Sequence, residues 1–163
     1  HRNIFDEDAM YMSGKALHPI SINLANKIKN DQEVDSIPIS FAGGVNSTNV
    51  ADVLACGLYP ITVCSDLLRP GGYGKLSQYL ENIEAVFNNY EAENIEDYIK
   101  NKADITNSVK AAKTNLQKYA QETVQNSAYL PVERDIKMER ELTEFDCIKA
   151  PCVSTCPAGQ NIP

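Results

Sequence analysis

The sequence predicts an α/β fold of consecutive parallel βα units that gives way to a polar helical stretch. Three observations predict it. Amphipathic helical periods alternate with short apolar runs through residues 9–90. Each apolar run ends on glycine or a small polar turn, and a new helical period follows at once. The connections are short, which favours parallel strands joined by right-handed crossovers.

Taken in order, YMSGKALHPI carries a glycine turn at Ser13–Gly14. HPISINLANKIKN then places Ile20, Leu24 and Ile28 at helical spacing, with lysines on the other face. SIPISFAGG has the pattern of a short buried strand ending in two glycines. NSTNVADVLACG predicts a helix capped by Asn46 or Ser47, with Val50, Val53 and Leu54 as its apolar stripe and Gly57 as its stop. YPITVCSDLL is a second buried run, bounded by Pro60 and by RPGGYG, which fits a plain turn better than a mobile lid. KLSQYLENIEAVFNNY sets Leu76, Leu80, Ile83, Phe87 and Tyr90 on one helical face. From Glu91 to Tyr129 there is neither glycine nor proline, and the composition is polar. That stretch predicts a short helix near 94–101 and a longer one near 105–126, with a thin stripe of Val109, Ala112, Leu116 and Tyr119. YLPVERDIKMERELTEFD reads as an irregular, charged lead-in to a cysteine run.

Composition narrows the function. The chain has 163 residues, a net charge of −7 and a pI near 4.8, with no basic cluster to displace counterions from a phosphate backbone. Nucleic acid is therefore not the expected partner. The apolar runs are too short to span a membrane, and no secretory segment opens the chain, so a cytoplasmic protein is expected. Five cysteines, an odd count, argue against a disulfide framework and for reduced thiols or metal ligands. The missing initiator Met and the stop in mid-motif read as a piece of a longer protein.

Two constellations carry chemistry. The first is the set of glycine turns at strand ends. FAGGV lies between a strand and a helix, where glycine lets backbone approach a ligand and amides can meet an anion. VCSD supplies a second turn beside it, and two adjacent strand ends of this kind match the phosphate site of a (βα)8 barrel. A tight turn without a ligand is the plainer alternative. The second constellation is Cys147, Cys152 and Cys156, spaced C-x4-C-x3-C-P. A disulfide with one free thiol, or zinc, is possible in principle. Zinc usually takes two close pairs, absent here, and iron–sulfur ligation fits the spacing and the following proline better. Cys56 reads as core filling and Cys64 as a buried strand-end residue whose backbone matters more than its thiol. His18, before Pro19, reads as structural, and His1 carries no signal.

The blocks SGKALHPI, PISFAGGV and ITVCSDLL, in this order, resemble the closing loops of the FMN barrel of dihydropyrimidine and dihydroorotate dehydrogenases. The resemblance covers residues 9–90 and implies the C-terminal part of a TIM barrel of the FMN-linked oxidoreductase type. It implies an FMN phosphate held by Gly14, Gly43, Gly44, Cys64 and Ser65, mainly through backbone N–H groups. The acid–base residue of that family sits on an earlier loop, outside this chain. The cysteine run is similar to the iron–sulfur segment of the glutamate synthase small chain, whose pattern is C-x2-C-x4-C-x3-C-P. Glu144 stands here where that pattern has its first cysteine. The similarity implies that Cys147 and Cys152 serve one [4Fe–4S] cluster and Cys156 another.

Barrel first and cluster segment last is an order that resembles the large iron–sulfur flavoproteins named as selenate reductase subunits. It implies residues 1–90 as barrel end, 91–140 as helical connector and 141–163 as the start of an iron–sulfur domain. It also implies FAD and NAD(P)H sites further along. Electrons would run from NAD(P)H to a small acceptor at the barrel, in selenate reduction or in purine- or pyrimidine-type metabolism. The alternative is a non-catalytic barrel that docks a partner molybdenum hydroxylase or another redox subunit. A plain aldolase-like barrel with a helical tail leaves the cysteines unexplained.

Overall fold

The computed structural model describes residues 12–31 and 37–129. Five helices are present there: α1 (Leu17–Lys29), α2 (Val50–Ala55), α3 (Leu76–Asn89), α4 (Ile95–Ala103) and α5 (Ser108–Gln125). Short 3-10 turns at Gly14–Ala16 and Gly72–Lys75 lead into α1 and α3. The GGYG segment is thus a turn continuous with α3.

The two expected strands lie side by side and run parallel, but meet in an isolated bridge rather than a ladder. Phe41 pairs with Ile61: the Phe41 N–H donates to the Pro60 carbonyl at 3.0 Å, and the Thr62 N–H donates to the Phe41 carbonyl at 2.9 Å. No longer strand is found among the described residues. Pro38 and Pro60 bring no N–H to a ladder, and a barrel strand needs neighbours on both sides to extend its pairing.

Helix existence follows the sequence closely; the buried faces follow it less well. In α2 the stripe Val50, Val53 and Leu54 is buried as expected, and Gly57 closes the helix with φ 70°. The helix starts later than expected, with Asn49 at the N-cap position. Asn46 instead folds a turn ahead of it, its Oδ1 accepting the Thr48 N–H at 2.9 Å. In α1 the expected stripe is on the wrong side: Ile20, Leu24 and Ile28 are 54%, 56% and 38% exposed, while His18, Ile22 and Ala25 are buried. In α3, Leu76 and Leu80 are exposed, and Tyr79 supplies the buried contact, with Ile83 and Phe87 half-buried.

The reason is α5. It packs along α1 and α4, and its Leu116, Tyr119 and Ala120 join Ile22, Ala25, Phe41, Val45, Val53 and Leu58 in the main core. The small Ala25 and Ala120 let α1 and α5 approach closely, which turns the bulkier stripe of α1 outward. Ile22 and Leu58 are fully buried, and each contributes roughly 1.5–3 kcal/mol of apolar transfer. A second cluster gathers Tyr98, Leu54 and Ala55 against Phe87 and Ile95. The caps of α4 and α5 are built by Asn94, which accepts the Asp97 N–H at 3.0 Å, and Asn107, which accepts the Lys110 N–H at 2.9 Å. Val109 of the predicted α5 stripe is exposed, while Leu116 and Tyr119 of the same stripe are buried.

Candidate functional site

The Phe41–Ile61 bridge fixes which end of the sheet the turns occupy. Ala42–Gly44 and Val63–Ser65 follow the paired residues, so both turns sit at the carboxyl ends of neighbouring parallel segments. The third turn, at Ser13–Gly14, comes to the same place. A methyl group built on Gly44 would lie 2.9 Å from the Gly14 carbonyl carbon and closer still to its oxygen. One on Gly14 would lie 3.5 Å from Ser65 Cβ. Gly14, Gly44 and Ser65, more than 50 residues apart at the extremes, therefore converge.

The glycines themselves are explained largely by protein. Gly14 and Gly44 have φ of 65° and 61°, a left-handed backbone that favours glycine. The Cβ direction of Gly44 is occupied by the Gly14 backbone, and that of Gly43 by Ser21, whose Cβ and Oγ would be 2.6 Å away. Only Gly14 has ordinary van der Waals space there. Ser65 is half-buried. Cys64 is exposed, which corrects the expectation of a buried strand-end thiol: with one bridge in place of a ladder, the residue is not covered by a neighbouring strand. Cys56 is buried, as read from the sequence, and burial pushes its thiol up, well out of the reactive range.

Two polar networks that sequence reasoning missed hold these turns. The first pins the Cys64–Asp66 turn to α3. Tyr79 Oη donates to Asp66 Oδ2 at 2.8 Å, and Lys75 Nζ donates to Asp66 Oδ1 and to the Asp66 carbonyl, both at 3.0 Å. Burial opposes the charge on Asp66, but the bonds from Tyr79 and Lys75 outweigh it and hold the carboxyl below its usual range. Tyr79 also reaches the Val45 carbonyl at 3.4 Å, so one hydroxyl ties two turns together.

The second network centres on His18, which is fully buried. Its Nδ1 bonds the Gly43 carbonyl at 2.6 Å and its Nε2 bonds Tyr119 Oη at 2.8 Å. A carbonyl only accepts, so Nδ1 carries the proton and Nε2 accepts from Tyr119. Burial holds His18 below the usual imidazole range, against the bond to Gly43, and the ring is neutral. Tyr129 stacks on the imidazole with centroids 5.1 Å apart. His18 thus links the start of α1 to the Gly43 turn and to α5.

A cavity of about 450 Å³ lies at the opposite end, lined by Pro38, Tyr59, Ile99, Val109 and Leu116 among others. Pro38 and Tyr59 precede the paired residues, so this cavity faces away from the turns. No group of three or more metal-ligating side chains occurs among the described residues, and no helix there is long and apolar enough to cross a membrane. Glu144, Cys147, Cys152 and Cys156 lie outside the described residues.

Comparison with known proteins places residues 1–130 in the family described as "Oxidoreductase YgfK, N-terminal TIM-barrel domain". Two curated relatives named "Putative oxidoreductase YgfK", from Escherichia coli (strain K12) and Escherichia coli O157:H7, are each 33% identical over 156 residues. That alignment covers 96% of this chain and 14% of each relative, so the chain spans about one seventh of their length. No solved structure matches the chain significantly.

Proposed function

The chain belongs to the oxidoreductase YgfK N-terminal TIM-barrel domain family, and we propose from that premise that it closes the barrel of a large iron–sulfur flavoprotein oxidoreductase. The observation that supports a site here is the convergence of Gly14, Gly43–Gly44 and Ser65 at the carboxyl ends of adjacent parallel segments. In this reading the backbone amides of the Gly43–Gly44 and Cys64–Ser65 turns hold the phosphate of FMN, and Gly14 leaves room for it. A bound flavin would supply the electron chemistry; the chain supplies position. Beyond residue 129, Cys147 and Cys152 are assigned to one [4Fe–4S] cluster and Cys156 to a second, on the similarity of their run to the glutamate synthase small-chain segment. FAD and NAD(P)H belong to the rest of the protein, and the acceptor is a small molecule, an oxyanion such as selenate or a purine- or pyrimidine-type heterocycle.

One observation favours a second reading. Gly43 and Gly44 face Ser21 and the Gly14 backbone, so close packing accounts for both without a ligand. The barrel is then a non-catalytic module that docks a partner molybdenum hydroxylase. The two are separated by the full-length protein purified without oxygen. FMN bound beside FAD supports the first, and FAD alone supports the second. Ser65→Asp places a charge against the phosphate while keeping the turn's size. It should weaken FMN binding by about tenfold or more. Absence of iron and sulfide from such a preparation would overturn the cluster assignment.

A further inference from the structure

The turn between Phe41 and Val45 is held from inside by hydrogen bonds from two side chains, His18 and Asn49, whose partners Tyr119 and Tyr129 lie side by side. Asn46 N–H donates to Asn49 Oδ1 at 2.8 Å, which fixes the Asn49 amide with Nδ2 turned the other way. Nδ2 donates one hydrogen to the Gly44 carbonyl at 3.2 Å and the other to Tyr129 Oη at 3.1 Å. Tyr129 Oη lies 3.5 Å from Tyr119 Oη, which donates to His18 Nε2, and His18 Nδ1–H donates to the Gly43 carbonyl. The two side chains thus hold successive carbonyls of the turn. His18 and Asn49 are almost entirely buried.

A trans peptide is planar, with C=O and N–H on opposite sides. Drawing the Gly43 carbonyl toward His18 turns the Gly44 N–H the other way. Drawing the Gly44 carbonyl toward Asn49 does the same to the Val45 N–H. Gly44 is left-handed, the conformation that a backbone anion nest uses at one of its residues. We propose that His18 and Asn49 are positioning residues, which aim the Gly44 and Val45 amides at the phosphate position. This rests on the phosphate reading of the turns given above.

The test uses the full-length protein and two probes, FMN and riboflavin, which differ only by the phosphate. His18→Phe keeps a ring against Tyr129 and removes the bond to Gly43; Asn49→Leu keeps the volume and removes the bond to Gly44. Each should weaken FMN by about tenfold, the worth of one well-aimed hydrogen bond, and leave riboflavin unchanged. Amide exchange in a peptide spanning residues 41–49 should accelerate in the same variants. FMN affinity equal to that of the parent, in a variant that folds, overturns the proposal while leaving the phosphate site standing. A parent that binds FMN no better than riboflavin removes the phosphate reading itself. The exchange measurement still decides the positioning role in that case, and unchanged exchange in both variants overturns it.

Discussion

Gly14 and Gly44 have nearly the same backbone, φ 65° and 61°, but different neighbours, and replacing each with alanine separates conformation from packing. The left-handed conformation costs an L-residue roughly 1–2 kcal/mol, and both variants bear that. Gly14→Ala bears little else, because the new methyl meets Ser65 Cβ at 3.5 Å, an ordinary contact. Gly44→Ala must in addition push the methyl away from the Gly14 carbonyl carbon at 2.9 Å and from His18 Cβ at 3.1 Å. Neither is the end of a flexible side chain, so the two turns must separate, and overpacking of this kind costs roughly 1–3 kcal/mol. Gly44→Ala should therefore destabilise by about 2–5 kcal/mol and Gly14→Ala by about 1–2 kcal/mol. Denaturant unfolding followed by circular dichroism reads both, provided the slope of the transition is unchanged. If Gly44→Ala costs no more than Gly14→Ala, the turns are not in close approach, and the convergence on which the site rests is wrong.

Two further outcomes follow from the buried polar groups. Asn115 Nδ2 donates to the Ala55 carbonyl at 2.9 Å and to the Ile99 carbonyl at 3.1 Å, joining α2, α4 and α5. Asn115→Leu should cost about 1–3 kcal/mol in denaturant unfolding, mainly for stranding the Ala55 carbonyl at the end of α2; a cost under about 0.5 kcal/mol would refute that role. Asp66 is held below the usual carboxylate range, so its contribution is present above an unfolded value near ~3.9 and is lost as pH falls through its lower folded value. His18, held neutral, loses stability in an earlier window, as pH falls below an unfolded value near ~6.5. Stability should thus decline in two stages on acidification. Tyr79→Phe should flatten the more acidic stage only; a variant that retains both stages unchanged would show that Tyr79 does not set the Asp66 titration.

How much of this was legible in the sequence depends on the range of the interaction. The helices from Asn94 and Asn107 onward were readable from a polar stretch without glycine or proline and a thin apolar stripe, and their caps are local too, a side chain reaching a backbone N–H three residues on. The same holds for the α2 stripe and its glycine stop. The buried face of α1 was not readable. Ile20, Leu24 and Ile28 make the stronger apolar period, but α5 approaches on the side of Ala25, and His18 is buried there because Tyr119, 101 residues later, accepts it as a partner. Periodicity reports an amphipathic helix and carries nothing about such a partner. The Asp66–Lys75–Tyr79 pin was closer to hand: an acid ends the turn, and a Lys and a Tyr four apart open the next helix.

The glycines show why a loop motif in sequence is weak evidence for a ligand. Glycine is selected whenever something occupies the Cβ position, and the sequence does not say what occupies it. At Gly44 it is the Gly14 backbone and at Gly43 it is Ser21, so these two residues would be glycine in a barrel with or without a phosphate. What a ligand requires in addition is that the turn's amides point outward, and that is decided by where its carbonyls go. The Gly43 carbonyl goes to His18 and the Gly44 carbonyl to Asn49, side chains outside the Gly-Gly motif. Gly43 is buried, so its carbonyl needs a protein partner whatever the turn serves, while Gly44 is half-buried. In the proposed reading, the convergence of the three turns marks the place, and the bonds from His18 and Asn49 set which way its amides face.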